Sequence, residues 1–409
     1  MSQFYKRFKA MRIVFYVFCI LTTNIFISSS HAASDALFNI HGVTVDVTAE
    51  NAAAAREQAF MDAQSMAFRK LAERLLSESQ LEYFEMPQGS VISTLVKDFE
   101  LSNEKLSDVR YIGTYNFRFQ GDAVRNFLGA NGFAYSDVSS KPVLVLPFYQ
   151  WGAQTIIWGE QNPWMQAWSN SRLYQGLVPV IIPIGDLQDV ADIDDEQALT
   201  YDPVNLNNMV SRYLAGEAII MQASPSWNSK DAASNGATPD KMTIMLYRTD
   251  RGEPEFANRL TVSQADIVGD EDIFTAAVRV CRSHLQNSWK SKTLTSAAQN
   301  NNLKVRVKFN TMKEWVETQK ILRGVQGVNN MKLISLNQNE ANVELQFQGT
   351  QDRLKLALAQ EDMTLSASSA PQQQYGYEYN GYGGYQKADQ VVYDLYLNKY
   401  RPLPYDSYR

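Results

Sequence analysis

Cysteine is almost missing from this chain. Cys19 and Cys281 are the only two in 409 residues, which excludes a disulfide-stapled scaffold and leaves stability to apolar cores. Histidine is nearly as scarce, with three in all. His31 lies in the amino-terminal segment, so His41 and His284 remain, and they offer few ways to build a catalytic triad or a zinc site. The chemical signatures G-x-S-x-G, G-x-x-x-x-G-K-[ST], H-E-x-x-H and C-x-x-C do not occur, so no nucleophile elbow, phosphate cradle or zincin helix is announced. A basic excess is also lacking. The formal charge is −6, which argues against nucleic acid, whose binding is dominated by phosphate neutralisation, and against an anionic membrane surface.

What is present begins with an export pattern. Lys6, Arg7, Lys9 and Arg12 precede an apolar run at 13–21, a polar break at Thr22, Thr23 and Asn24, and a short apolar return at 25–27. Ser30 and Ala32 stand three and one residues before a cut after Ala32. The pattern predicts a signal peptide over 1–32, removed on export, and a periplasmic address. A retained anchor needs about 20 unbroken apolar residues, and the polar break denies it them; no later stretch could span a bilayer. A lipoprotein reading is disfavoured because Cys19 follows Phe18, where a small residue is needed. Loss of the four cations would take the formal charge from −6 to −10 and leave Cys281 as the sole thiol.

Polar stretches at 136–141 and 291–302 predict linkers between three modules. The first, 33–135, reads as α+β: a strand at 43–47, Thr48 as helix cap, then a long helix in which Ala52, Ala55, Ala59, Ala63, Ala67, Leu71 and Leu75 form one face, and a second strand at 111–119. The second, 141–290, alternates strands with helices and carries a continuous apolar strand at 142–148 and another at 177–182. This predicts a three-layer α/β domain with parallel strands at its centre. The third, 303–366, reads β-α-β-β-α-β, the ferredoxin-like order. The tail, 367–409, holds a glutamine-, tyrosine- and glycine-rich run at 372–385 expected to lack regular structure, and 391–397 is a candidate strand returning to the third sheet. The predicted fold class is therefore α/β and α+β multidomain.

The pattern Val45, Val47, Thr48, then Ala53 to Ala59 around Arg56 and Glu57, with Ala67, Phe68, Leu71, Arg74 and Leu75, resembles a family of exported Gram-negative proteins known only as a domain of unknown function. The stretches 111–135 and 305–365 fit the same family, with Trp315, Val325, Val328 and Leu345 in place. The first module is also similar to the amino-terminal part of flagellar assembly protein T. The second, from Lys141 through Phe148, resembles the α/β domain of the TolB amino terminus and of the curli secretion lipoprotein. These resemblances imply an envelope address and protein contacts, and no catalytic residues. The run at 372–385 departs from the family pattern.

Three clusters are candidates for chemistry. Cys281 and His284 are three apart on one helix, but structural zinc wants four ligands, and Phe274, Val278, Cys281, Leu285 and Trp289 read as a buried face. The acidic run Asp189, Asp192, Asp194, Asp195 and Glu196 lacks the spacing of a calcium loop and reads as a solvated face or helix start. Tyr149, Trp151, Trp158, Trp164 and Trp168 gather beside the end of the strand at 142–148, where ligands bind in open α/β sheets. The rings either pack the loop on its own helix or make the loop 149–163 a contact surface for a protein or glycan. The function expected is that of a non-enzymatic accessory protein binding another envelope component, without cofactor or metal and with its oligomeric state open. A cell-wall hydrolase with unrecognised carboxylates and a small-molecule carrier are the alternatives.

Overall fold

The computed structural model describes residues 36–159, 161–171, 176–195, 200–228, 238–249, 255–295, 300–367, 377–380, 384–387 and 393–400. The expected signal segment, 1–32, lies outside them, as do Glu196 and much of the tail. The fold is mixed α/β and multidomain, built on mixed and antiparallel sheets. Among the described residues no helix is long and apolar enough to cross a membrane.

In the first unit, β1 (Asn39–Thr48) is followed by α1 (Ala52–Leu75). The helix is capped by Asn51, whose side chain accepts the Ala54 N–H at 2.9 Å, and not by Thr48. The reason is register: Thr48 is still paired, opposite Arg110 of β3 (Arg110–Phe119). The alanine face is buried as its spacing predicts, from Ala55 to Leu75, with Ala52 only half-buried. Such a face lets the helix lie close over Tyr111, Tyr115, Phe117 and Phe119, the inward residues of β3. The pattern gave no sign of β2 (Val96–Leu106), which completes the order β1-β3-β2. Lys97, Asp98, Glu100, Glu104 and Lys105 hide it, because an edge strand keeps its charges in water. Three short helices, α2 (Glu78–Leu81), α3 (Gly89–Leu95) and α4 (Gly121–Ala130), close the unit.

The second unit carries β4 (Val143–Trp151), β5 (Gln154–Ile156), α5 (Pro163–Asn170), β6 (Val180–Ile181), α6 (Leu187–Asp192), α7 (Pro203–Arg212), β7 (Glu217–Ser226), β8 (Lys241–Arg248), β9 (Glu255–Ser263) and α8 (Ile273–Thr293). Strand order is β5-β4-β7-β8-β9, with β6 on the β5 side of β4. Pairing is parallel for β6-β4 and β4-β7 and antiparallel elsewhere. Because side chains alternate across a strand, Val143, Val145 and Tyr149 pack toward α5 and α8, while Leu144, Leu146 and Phe148 pack toward α7. The strand expected at 177–182 shrinks to two residues. Gln286 of α8 takes the place of a strand partner there, accepting from the Val178 N–H at 3.1 Å and donating to its carbonyl at 2.9 Å.

The third unit runs β10 (Asn300–Lys308), α9 (Met312–Gly324), β11 (Val328–Leu336), β12 (Glu340–Gln348), α10 (Gln351–Gln360) and β13 (Met363–Ala367). The returning strand is β16 (Tyr393–Leu397), which enters between β10 and β13, so the sheet reads β11-β12-β10-β16-β13. Buried Asp394 of β16 is held by Arg306 at 2.7 Å and Lys308 at 3.4 Å. In the run at 372–385, expected to lack regular structure, β14 (Tyr377–Asn380) pairs antiparallel with β15 (Gly384–Lys387), which begins in the run and ends beyond it.

Residues of both expected linkers, at 136–138 and 293–295, lie in the seam where the units meet, while 300–302 belong to β10. Asp137 is buried between Arg125 of α4 and Arg353 of α10. The Ser136 and Thr293 hydroxyls share a hydrogen bond at 2.6 Å, and Thr295 pairs with Tyr135. Trp289 Nε1 donates to the Val138 carbonyl at 2.6 Å, and Lys290 Nζ donates to the Glu73 and Leu76 carbonyls at the end of α1. Polarity there marks matched partners across a buried interface, not solvation.

Candidate functional site

The five aromatic residues separate once the strands are in place. Tyr149 is buried with its ring edge-on to Phe274 at 6.0 Å. Trp164 is fully buried and donates its indole N–H to the Met221 carbonyl at 3.2 Å. Trp168, 1 % exposed, meets Trp164 edge-to-face at 5.6 Å. These three therefore belong to the core between the sheet and α8, because each lies on the inward side of its strand or helix; Trp168 also borders the groove described below. The Trp151 side chain lies outside the described residues. Trp158 is the ring left half-exposed.

Trp158 is pinned. Its indole N–H donates to the Ile193 carbonyl at 2.6 Å, and Asp195 accepts the backbone N–H groups of Ile157 at 2.6 Å and of Trp158 at 3.2 Å. Asn162, fully buried, caps α5 by accepting the Met165 N–H and donates to the Pro147 and Ile157 carbonyls at 2.9 Å each, which ties the loop to β4. The acidic run is divided: Asp189 lies in the first turn of α6, Asp194 is exposed and Glu196 lies outside the described residues. Asp189 and Asp192 are buried, and Arg212 bridges them at 2.6 and 2.7 Å.

Opposite Trp158 the chain leaves β6 through Ile182, Pro183, Ile184 and Gly185. Gly185 has φ +72°, and a Cβ there would lie 3.1 Å from the Trp158 ring, so this turn requires glycine both for its left-handed backbone and for the close approach. The turn is fastened from below. Asp189 accepts the Gly185 N–H at 3.0 Å and the Tyr213 hydroxyl at 2.6 Å, while Tyr213 in turn accepts the Ile184 N–H at 3.0 Å. Burial, and then the bond to Asp189, push the Tyr213 hydroxyl up to about 12, so it stays a donor. Asp186 caps α6 by accepting from Gln188 and Asp189. These bonds hold two aliphatic side chains out in water, Ile184 at 80 % exposure and Leu187 at 92 %.

Between Trp158 and this ridge runs a groove of about 890 Å³, walled by Met165, Ile181, Ile182 and Pro183 and ending at Trp168 and Arg282. It opens at the carboxyl end of β6, where the strand-end rule places ligands in such sheets. The Arg282 guanidinium lies over the Trp168 ring at 5.2 Å and donates to Ser171 Oγ at 2.8 Å. Sequence reasoning missed Ile184, Leu187 and Arg282. The available signals were a lone isoleucine between Pro183 and Gly185-Asp186, and a cation directly after Cys281 on the helix face read as buried.

A second cavity, of about 650 Å³, lies between the second and third units and includes Lys141, Glu217, Arg248, Asn258, His284 and Asp362. Its carboxylates are matched with cations, Glu217 to Arg248 at 2.9 Å and Asp362 to Lys141 at 2.5 Å. His284 points to Asn258 in this cavity, whereas Cys281 is buried in the core, where desolvation pushes its thiol far up. The two do not converge on one point, and among the described residues no group of three or more candidate ligands could hold a metal ion.

No family model matches this chain, and no curated protein matches it.

Proposed function

We propose that this chain is an exported accessory protein of the Gram-negative envelope that docks another envelope protein in the groove beside Trp158, without catalysing a reaction. One observation carries the reading: Ile184 and Leu187 stand in water although Asp186, Asp189 and Tyr213 fix the backbone that presents them. Exposed aliphatic side chains on a pre-ordered backbone gain burial on docking without a large ordering cost. The export pattern of the first residues supports the periplasmic address, as do the likenesses of the first unit to flagellar assembly protein T and of the second to the TolB and curli secretion domains. The same reading takes the second unit as a three-layer α/β domain and the third as a ferredoxin-like unit widened by β16. The packing on both faces of the second sheet and the β-α-β-β-α-β order support these assignments.

The test is a photo-crosslinking residue placed at Ile184 in cells, with a control at Thr44 on the open face of the first sheet. A discrete adduct from position 184 that disappears in the Leu187→Asp background supports docking. Adducts identical from both positions, or insensitive to Leu187→Asp, overturn it.

A further inference from the structure

At the inner end of the groove stands one cation, Arg282. Arg282 is half-buried, and among the described residues no carboxylate pairs with it, although the helix it sits on provides a contrast in Arg279, which binds Glu271 at 2.7 Å. Its described hydrogen bond, to Ser171, goes to a neutral hydroxyl. Arg282 Nε is buried with no acceptor, and so is Nε1 of Trp168, whose ring the guanidinium covers. A cation partly withdrawn from water gains more from an opposite charge brought beside it than one fully in solvent does. Arg282 thus stands at the end of the groove as a half-buried cation that no carboxylate of the described residues pairs.

We propose that Arg282, held flat by Trp168, binds a carboxylate, and that the docked segment is an apolar peptide ending in its own free carboxyl group. This rests on the docking role of the groove and names the chemistry of its occupant. A chain end fits better than an internal acidic side chain. An internal residue would draw polar backbone in two directions across Met165, Ile182 and Pro183, whose side chains give no hydrogen bond, whereas a terminus brings backbone from one side only. The guanidinium fork suits a carboxylate because two parallel N–H donors match its two oxygens.

The experiment titrates the full chain with a fluorescein-labelled hexapeptide of valine and phenylalanine, as the free acid, as the carboxyl-terminal amide, and as an amide with one internal glutamate. The free acid is expected to bind at least about tenfold more tightly than either amide, the ratio typical of one charge-assisted hydrogen bond. Arg282→Gln is expected to erase that preference, and Arg282→Lys to keep part of it. Equal binding of acid and amide, a preference that survives Arg282→Gln, or a glutamate amide that binds as well as the free acid overturns the assignment. If no peptide binds while the position-184 adduct forms, the carboxylate assignment falls and docking stands. If the adduct is missing too, both fall.

Discussion

Replacing Arg353 by methionine isolates what the buried seam contributes. Arg353 is 1 % exposed and lies between Gly327 and Gly349, with its Nη1 2.3 Å from where a Cβ on Gly327 would sit. It donates to Asp137 Oδ1 and to the Gln348 carbonyl at 2.5 Å each, and to the Thr293 carbonyl at 3.1 Å. Methionine refills most of the stem but leaves Asp137, itself 3 % exposed, with Arg125 as its remaining cation. Breaking a buried pair by removing one partner costs about 3–5 kcal/mol. Arg125 retains part of the pairing, while the two orphaned carbonyls add a share of roughly 1–3 kcal/mol each, so a loss of about 4 kcal/mol is expected. Urea unfolding followed by tryptophan fluorescence and far-UV circular dichroism gives the value. Because Arg353 ties α10 to the seam, the variant should also separate the third unit's transition from the rest. Adding Asp137→Asn should cost less in the Arg353→Met background than in the wild type, since the carboxylate there is already short of a partner. A loss below about 1 kcal/mol, at the level of an exposed pair, or strict additivity of the two substitutions, would refute the account of the seam.

Further outcomes follow from the same geometry. Burial alone would raise the Asp137 carboxyl, but Arg353 and then Arg125 outweigh it and hold it below the usual carboxylate range. Its contribution is therefore complete above about pH 4 and is lost as pH falls below that; wild-type stability should drop more steeply there than that of Asp137→Asn. Burial presses the Lys290 ammonium down to about 8, against upward pulls from Glu78 and Glu73. The unfolded chain then holds the extra proton between about pH 8 and 10.5, so this residue makes stability rise with pH across that window. Unfolding curves of Lys290→Met should lack that rise. Ala63→Leu, on the closed face of α1, should cost about 1–3 kcal/mol by overpacking against the sheet, read as a lower denaturation midpoint.

The sequence displayed those elements whose periodicity reports a single buried face. In α1 the alanines recur every three or four residues and all of them from Ala55 on are buried, so pattern and packing coincide. In β2 the buried side is only partly covered and the charges dominate the pattern, so periodicity had nothing to display. The seam misled for the opposite reason. Ser136, Asp137, Thr293 and Thr295 look like linker residues, yet each is buried and matched by a partner or a backbone pairing distant in sequence. The aromatic residues follow one another from the end of β4 into α5, but their spacing does not tell which rings face inward. That depends on α5 turning Trp164 and Trp168 onto the sheet while Asp195, more than thirty residues later, fixes Trp158 at the surface. The ridge at Ile184 and Leu187 was invisible because its support comes from Asp189 and Tyr213 through contacts that no local pattern encodes.

The affinity of the partner captured from position 184, measured by calorimetry on the full chain, bears most directly on the docking role. Leu187→Asp should weaken it at least about tenfold, the equivalent of 1.4 kcal/mol, while the denaturation midpoint stays within the small range usual for surface changes. An affinity left unchanged by Leu187→Asp and by Ile184→Asp would contradict the assignment of this groove as the binding site.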